Sequence, residues 1–422
     1  MVSKKMENMK SDNKNIFTIF LTLIAFAFIL RLMISVGYIN RQDTLWYREW
    51  ALSLPDGFFN VYSRADEISL DYPPIYLFFL YITGLAYRAL GSGWGIMTDM
   101  LFMKFWPIFF DTLCGAALYF VFKKQGEKAG FLAALLWLFN PCTIFNSAFW
   151  GQTDGLMCLL LLISFYALES KRPILACVLF AIAGLTKYQC LFFTPIFLLE
   201  LFLRSDIKRF LPSIFSAVAT VLGVFLPFMI GAKNPLLFFE VYLGGQGKYP
   251  HCTLNAFNVY GMFNLNWVPD SKKILGLISV GTLSTIVTVL LIVGVFLIYI
   301  FAKNKCMWTV SFLFMSSLFM FMSRMHERYA FVTLIFILVA AVKHKNKGLF
   351  ISFLLSSAIS LTNHFVPMFS WNDPTSVFAT HYNGIFVFMS FVSVAVYIVT
   401  TYICLCFVFK GEQVDLLSIT EN

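Results

Sequence analysis

Charged residues are scarce in this sequence. They make up 13% of the 422 residues, whereas a soluble domain carries roughly a quarter. Hydrophobic residues make up 59%, and the mean hydropathy is +0.78. This balance excludes an ordinary soluble enzyme and predicts an all-α polytopic membrane protein. The net charge of +9 comes from short basic runs between apolar stretches, which is typical of cytoplasmic loops and gives no reason to expect a nucleic-acid partner.

The sequence also lacks a cysteine framework and a cleavable leader. Its nine cysteines are odd in number, only Cys252 lies in a long polar loop, and no pair has the spacing of a metal site. The apolar stretch 16–36 is too long for the core of a signal peptide, and no small-residue cleavage site follows it. We therefore expect an uncleaved first transmembrane helix.

Lysine and arginine indicate the side of the membrane on which each loop lies. Four lysines precede the first apolar stretch, so the tail over 1–15 is predicted to be cytoplasmic. The same rule along the chain predicts a multi-pass protein with about 12 transmembrane helices and a cytoplasmic C-terminus. The size of the chain and the absence of organellar signals favour a prokaryotic plasma membrane. The predicted crossings lie at 16–36, 102–122, 131–149, 156–168, 174–185, 191–203, 210–230, 274–301, 308–322, 330–342, 349–366 and 385–409.

The first external loop, residues 37–73, is long and carries polar motifs. The stretch 44–54 is predicted to form an amphipathic helix on the membrane surface, because several of its apolar residues fall partly on one side. These residues are Leu45, Trp46, Ala51 and Leu52. The stretch 75–90 is also apolar, but counting it as a crossing would place every later basic cluster outside. We therefore predict an external or re-entrant helix there.

Two carboxylates of this region are candidates for chemistry. Asp43, directly after the first crossing, could act as a general base that takes a proton from an attacking hydroxyl. It could equally cap the amphipathic helix, and the two roles are compatible. Asp71 precedes Pro73 and Pro74, whose rings fix an extended segment before the next helix. It is either a second functional carboxylate or an external charge at a helix start.

Gln152 and Asp154 form a third candidate group, in a five-residue turn between two predicted crossings. Their polar side chains could contact a substrate at the membrane surface. The alternative is a solvated turn in which Asp154 caps the following helix.

Lys187 and Gln189 lie between two apolar stretches that are unusually short. Roughly 12–13 residues make about 18–20 Å of helix, against a hydrocarbon core of roughly 30 Å. The turn is therefore predicted to lie at membrane depth, where a lysine is costly unless it meets an anion such as phosphate. The alternative is a lysine that snorkels to the surface.

The motif Met325-His326-Glu327-Arg328-Tyr329 lies between two further short apolar stretches. Arg328 could bind a phosphate with both arms of its guanidinium, Glu327 could orient that cation, and His326 could donate a hydrogen bond. The alternative is an ordinary external loop. The short flanking helices favour a site at membrane level.

Two weaker signals complete the search. The loop with Gly244-Gly245-Gln246-Gly247-Lys248 and Asn255-Ala256-Phe257-Asn258 has a composition that suits a sugar or a lipid head group, but any flexible loop shares it. Asp111 lies inside an apolar stretch, and we expect it to pair with a polar group on a neighbouring helix.

Taken in order, these motifs resemble those of the GT-C superfamily of polytopic glycosyltransferases. The order is an acidic loop after the first crossing, Asp-Tyr-Pro-Pro, Gly-Gln-x-Asp, Lys-x-Gln and Met-His-Glu-Arg-Tyr. The chain is most similar to the prokaryotic relatives of the GPI-anchor second mannosyltransferase and to the dolichyl-phosphate-glucose-dependent glucosyltransferases. The resemblance covers about 30–345, so it implies a catalytic membrane domain over 16–345 and further helices with a short cytoplasmic tail over 346–422.

The resemblance implies a hexosyltransferase that takes mannose or glucose from a polyprenyl-phosphate donor. Transfer occurs on the external face, usually with inversion, to a lipid- or protein-linked glycan acceptor of the cell envelope. By resemblance, Asp43 is the catalytic base, and Asp71 matches the family's acidic residue before the double proline as a second catalytic carboxylate. The remaining matched positions bind the substrate. These are Gln152, Asp154, Lys187, Gln189, His326, Glu327 and Arg328.

A metal cofactor is not required by this interpretation. Some members of the superfamily carry a second acid beside the base, whereas Gln42 and Thr44 flank Asp43 here. Lysine and arginine can stabilise a phosphate leaving group without a divalent ion, although the sequence does not exclude one.

Other functions fit the same polar residues less well. A flippase for lipid-linked sugars would also use intramembrane cations, but transporters usually show broken helices at matching positions of two halves. A polymerase that uses diphosphate-linked donors, or a structural subunit of a glycan-assembly complex, also stays open.

Overall fold

A computed structural model of the chain describes residues 2–38, 43–90, 95–247, 249–372 and 381–411. The chain forms two compact units. The first comprises Met1–Thr186 and Phe215–Asn234, and the second comprises Lys187–Ile214 and Pro235–Asn422. Some positions that the sequence analysis discusses lie outside the described residues. They are Gln42, with the neighbouring Arg41, Lys248 and the C-terminal tail after residue 411.

Among the described residues of the first unit, all regular structure is helical. Its helices are α1 (Val2–Ser35), α2 (Asp43–Ser53), α3 (Pro74–Leu90), α4 (Ile96–Lys123), α5 (Glu127–Leu138), α6 (Pro141–Ile144), a π-helix (Phe145–Trp150), α7 (Asp154–Glu169) and α8 (Pro173–Thr186). Short 3₁₀ turns at Leu54–Asp56 and Val61–Arg64 shape the connection between α2 and α3. Helix α10 (Ile207–Gly231) contributes residues to both units.

The second unit combines helices with one small hairpin. It contains a 3₁₀ helix (Tyr188–Phe193), α9 (Thr194–Arg204), α11 (Leu237–Gly247), α12 (Val259–Met262), β1 (Lys273–Ile274), β2 (Ile278–Ser279), α13 (Val280–Phe301), α14 (Met307–Phe321), α15 (Thr333–His344), α16 (Lys347–Asn372) and α17 (Tyr382–Lys410). The two strands are antiparallel.

Six of the described helices are long and apolar enough to cross a membrane, or seven if one bent pair counts as a single span. This confirms an all-α polytopic membrane protein. The six are Ile16–Ser35, Met97–Lys123, Ile207–Gly231, Val280–Phe301, Lys347–Ser370 and Tyr382–Lys410. Other predicted crossings fall on shorter helices, so the total of about 12 and the placement of α3 stay predictions.

The bent pair interrupts the crossing that the sequence predicts over 131–149. Glu127–Leu138 and Pro141–Trp150 meet at 50°. Proline lacks an amide hydrogen and disfavours helical geometry in the residue before it, so α5 ends at Leu138 and Asn140 before Pro141 is extended. The Asn140 side chain then caps the next turn by accepting a hydrogen bond from the Cys142 amide.

The start of the span α13 also differs from the prediction. The sequence pattern places it at residue 274, whereas the helix begins at Val280. Residues 273–279 form the hairpin instead, because Leu275 and Gly276 have positive φ angles of 51° and 72° and cannot continue a helix.

The helix predicted over 44–54 is present as α2, but of the four residues predicted on its apolar side only Ala51 is buried. The buried residues are Thr44, Tyr47, Trp50 and Ala51, and Leu45 is half exposed. Aromatic packing decides this orientation. The ring of Tyr47 lies 5.5 Å from that of Tyr76, and Trp50 donates a hydrogen bond to the Ile68 carbonyl.

Asp111 pairs with a polar group on a neighbouring helix, as predicted. Its Oδ2 accepts hydrogen bonds from Arg31 Nε at 2.8 Å and Ser147 Oγ at 2.9 Å, and its Oδ1 accepts one from Trp137 at 2.9 Å. Gly155 lies against it, since a Cβ there would be 2.8 Å from the Asp111 Cβ. The fully buried Arg31–Asp111 pair therefore joins α1 to α4 inside the first unit.

We expect Arg31→Met to destabilise the protein by about 3–5 kcal/mol, because it leaves a buried carboxylate without its cation. Thermal unfolding in detergent measures this effect. The control is Arg88→Met, which breaks the exposed Arg88–Asp56 pair and is expected to cost less than about 1 kcal/mol. Equal melting temperatures for the two variants would contradict the structural role of the buried pair.

Candidate active site

Asp43 is the first residue of α2 and is held by the turn that precedes α7. Its Oδ2 accepts hydrogen bonds from Trp150 Nε1 at 2.8 Å and from Gln152 Nε2 at 2.6 Å. Both donors are buried. The structure thus brings together Asp43 and Gln152, which are far apart in the sequence, and fixes the orientation of the carboxylate.

A buried lysine that the sequence analysis missed supports this turn. Lys104 of α4 is 1% exposed, and its ammonium donates to the backbone carbonyls of Ser35 at 3.0 Å, Tyr38 at 2.7 Å and Phe149 at 2.7 Å. It ties the end of α1 to the π-helix that presents Trp150. The position of Lys104 as a single lysine within an apolar stretch is the signal from which its buried role could have been predicted.

Gly151 makes the close approach of Lys104 possible. Its φ is 89°, and a Cβ there would lie 2.9 Å from the Lys104 Cγ. Only glycine adopts this conformation without strain. The turn therefore depends on a glycine and a lysine that lie 47 residues apart in the numbering (151 − 104).

We expect Lys104→Met to lower both stability and turnover, because three buried carbonyls lose a charged donor. The loss in stability is about 2–5 kcal/mol. Lys104→Arg retains the charge and is expected to recover part of it. Melting temperature and initial transfer rate measure the two effects. A Lys104→Met variant as stable as the wild type would contradict this role.

Asp71 lies in the extended segment before α3 and is half-buried. The neighbouring Tyr72 attaches this segment to α2, since the hydroxyls of Tyr72 and Tyr47 are 2.8 Å apart. The Tyr62 hydroxyl donates to the Tyr72 carbonyl at 2.7 Å. Burial, with the nearby Tyr72 and Asp43, raises the pKa of Tyr47 well above its usual range, so Tyr47 is a neutral hydroxyl.

Asp154 begins α7 and is 2% exposed. Its Oδ2 accepts a hydrogen bond from Asn146 Nδ2 at 3.0 Å. The N-cap of α7 is Thr153, and the whole turn is buried. The alternative of a solvated turn capped by Asp154 is therefore wrong, because the π-helix and Gly151 fold the turn into the unit. Its binding role stays a prediction.

In the second unit, Lys187 directly precedes the 3₁₀ helix Tyr188–Phe193. It has an extended backbone (φ −150°, ψ 130°) and is 3% exposed. Gln189 is also buried, and the hydroxyls of Tyr188 and Tyr329 are 2.9 Å apart. The structure therefore brings the Lys-Tyr-Gln segment next to the Met-His-Glu-Arg-Tyr motif.

Within that motif, Glu327 lies between two potential cations. Arg328 Nη1 donates to Glu327 Oε1 at 3.0 Å, and His326 Nδ1 is 3.9 Å from Glu327 Oε2. Burial opposes the charge of Glu327, but the interactions with the neighbouring His326 and with the positive charge of Arg328 lower its pKa to about 2. Glu327 is thus a buried anion that orients Arg328.

The backbone of the motif pairs with the loop after α11. The Leu254 amide donates to the Met325 carbonyl at 2.9 Å, and the Glu327 amide donates to the Leu254 carbonyl at 3.2 Å. Asn255 Oδ1 accepts hydrogen bonds from Asn266, Trp267 and Tyr382. The Asn255 side chain therefore supports the packing of this loop and its contact with α17.

Asn258 has a similar structural role. It is fully buried and caps α12 by accepting hydrogen bonds from the amides of Tyr260 at 3.1 Å and Gly261 at 3.2 Å. Within the part of the chain that the structure describes, no group of three His, Cys, Asp or Glu side chains could hold a metal ion. Independence from a metal stays a prediction.

The low pKa of Glu327 predicts how the stability of the protein changes at acidic pH. Since its pKa falls from 4.5 to about 2 on folding, the charged form stabilises the protein fully above about pH 4.5, and this contribution is lost as the pH falls towards 2. We expect the melting-temperature difference between wild type and Glu327→Gln to be constant from about pH 8 to 5.5 and to shrink below about 4.5. A difference that disappears between about pH 7 and 5 would contradict the ion pair.

Helices that are apolar enough to cross a membrane, an oriented carboxylate and the Arg328–Glu327 pair fit a polytopic membrane glycosyltransferase. The model of glycosyltransferase family 87 matches residues 70–325, more than half of the chain. The chain therefore belongs to glycosyltransferase family 87. No curated protein matches it. The specific similarity to mannosyltransferases or glucosyltransferases stays a prediction.

Proposed function

We propose that this glycosyltransferase moves a hexose, mannose or glucose, from a polyprenyl-phosphate donor to a lipid- or protein-linked glycan acceptor. The reaction takes place on the external face of the plasma membrane, with both termini in the cytoplasm. It is a single displacement that inverts the anomeric carbon. The observation that carries the proposal is the Asp43 carboxylate, oriented by Trp150 and Gln152.

Asp43 is proposed as the general base. A base must be held in a defined orientation relative to the hydroxyl that it deprotonates. The two hydrogen bonds to Oδ2 supply that orientation, and Lys104 supports the turn that donates them. Once deprotonated, the acceptor oxygen attacks the anomeric carbon. The bond from that carbon to the phosphate oxygen breaks, and the electron pair leaves with the polyprenyl phosphate.

Lys187 and Arg328 are proposed as ligands of the donor phosphate. Both residues belong to the second unit, and Lys187 is buried there. The same unit contains helices that are long and apolar enough to cross a membrane. A buried cation at such a place favours an anionic ligand. Glu327 orients Arg328, and His326 can donate a hydrogen bond to the same anion. Asp71 is proposed as a second catalytic carboxylate that binds the acceptor hydroxyl or supports Asp43. Asp154 and Gln189 are proposed as further substrate contacts.

The donor class is tested with purified protein in nanodiscs and a crude lipid extract as acceptor. Donors labelled in the hexose are polyprenyl-phosphate-mannose, polyprenyl-phosphate-glucose and a polyprenyl-diphosphate-hexose. We expect transfer or slow donor hydrolysis with one monophosphate donor and none with the diphosphate. Transfer from the diphosphate donor alone would overturn the proposed donor class. Passage of intact donor across proteoliposomes without release of hexose would overturn the enzymatic proposal in favour of a flippase.

A further inference from the structure

The β-hairpin before α13 has an unusual tip. Ile274 and Ile278 face each other in the ladder, and the Leu277 amide donates to the Ile274 carbonyl at 3.0 Å across the turn. Both central residues of this turn have positive φ angles, 51° at Leu275 and 72° at Gly276. Such positions are normally taken by glycine, asparagine or aspartate.

A leucine at positive φ carries a steric cost that its contacts in the chain do not offset. Leu275 is 90% exposed and Leu277 is 81% exposed, which makes them the two most exposed large hydrophobic side chains of the described residues. The neighbouring Ile274, in contrast, packs on the cluster of Cys252, Tyr260 and Val280. The tip therefore presents two leucines away from the unit that its base packs against.

The position of the hairpin indicates what covers these leucines. Strand β2 ends at Ser279, and the span α13 begins at the next residue, Val280. The hairpin thus lies where a transmembrane helix meets the membrane surface. Lys272 and Lys273 at its base are both exposed. Exposed leucines next to lysines fit the boundary between acyl chains and anionic head groups.

We propose that the hairpin tip inserts into the lipid interface, with Leu275 and Leu277 among the upper acyl chains and Lys272 and Lys273 at anionic head groups. The partner is the bilayer, and the proposal does not depend on the donor or acceptor. The insertion would also hold the loop beside His326. Asp270, two residues before Lys272, bonds Arg324 at 2.7 Å, and its amide donates to the Pro250 carbonyl.

Fluorescent labelling at single positions tests this. All nine native cysteines are buried, so Leu275→Cys and Leu277→Cys are expected to react selectively with an environment-sensitive probe. The matched control is Ser271→Cys, exposed at the base of the hairpin. The full-length variants are placed in nanodiscs of phosphatidylcholine with or without phosphatidylglycerol, and spin-labelled lipids serve as quenchers.

We expect blue-shifted emission and several-fold stronger lipid quenching at positions 275 and 277 than at 271. Phosphatidylglycerol should increase the quenching, and the pair Lys272→Gln and Lys273→Gln should abolish that increase. Water-like emission at both tip positions would overturn the proposal. Blue-shifted emission without lipid quenching would also overturn it, because the tip would then pack against protein, such as a second copy of the chain.

Discussion

Replacing Asp43 with Asn is expected to lower kcat for hexose transfer by about 10²–10⁴-fold, the usual contribution of a general base. The amide keeps the size of the carboxylate and can still accept a hydrogen bond from Trp150 or Gln152. The fold and the KM for the donor should therefore change little, within about threefold, since the lost interaction belongs to the transition state. Steady-state transfer rates over a range of donor concentrations measure both constants.

The matched control is Asp56→Asn, which removes an aspartate from the same unit. The Asp56 side chain is 58% exposed and pairs with Arg88 at the surface, so its replacement should leave kcat unchanged. Equal kcat for Asp43→Asn and wild type would contradict the assignment of the base and direct attention to Asp71 or Asp154. A parallel fall in melting temperature and activity would indicate a structural role only.

Replacing Arg328 with Met is expected to weaken binding of the phosphate donor by about 10–150-fold. This follows from the loss of a charge-assisted hydrogen bond worth about 1.5–3 kcal/mol. The variant also leaves Glu327 as a buried anion without its partner, which adds repulsion towards phosphate. The dissociation constant of a non-hydrolysable polyprenyl-phosphonate in nanodiscs measures the effect, with Arg328→Lys expected to recover part of the affinity.

The control for charge alone is Arg209→Met, at an exposed arginine of the same unit. It should bind the phosphonate as the wild type does. Unchanged affinity in Arg328→Met would contradict the proposed phosphate site and make the ion pair with Glu327 purely structural.

Several features were accessible from the sequence because they depend on local patterns. The low content of charged residues and the long apolar stretches predicted a polytopic helical protein. The segment after the first crossing predicted α2 with an error of one residue at each end. Asp111 was expected to find a polar partner because an isolated charge among apolar residues needs one. The burial of Lys187 followed from helix length alone.

The missed features depend on distant partners. Nothing near Trp150 in the sequence shows that its indole donates to Asp43, and nothing near Lys104 shows its three carbonyl acceptors. The hydropathy pattern also extended the predicted helix α13 over the hairpin. Ile, Leu and Val have the same hydropathy whether they lie in a strand, a turn or a helix.

The anomeric configuration of the product tests the central claim most directly. A donor carrying ¹³C at the anomeric carbon is incubated with purified wild-type protein and acceptor lipid, and the one-bond carbon–proton coupling of the product is measured by NMR. The account predicts a transferred hexose with the configuration opposite to that of the donor, and no product from Asp43→Asn under the same conditions. A product that retains the donor configuration would contradict the single displacement from a polyprenyl-phosphate hexose with Asp43 as base.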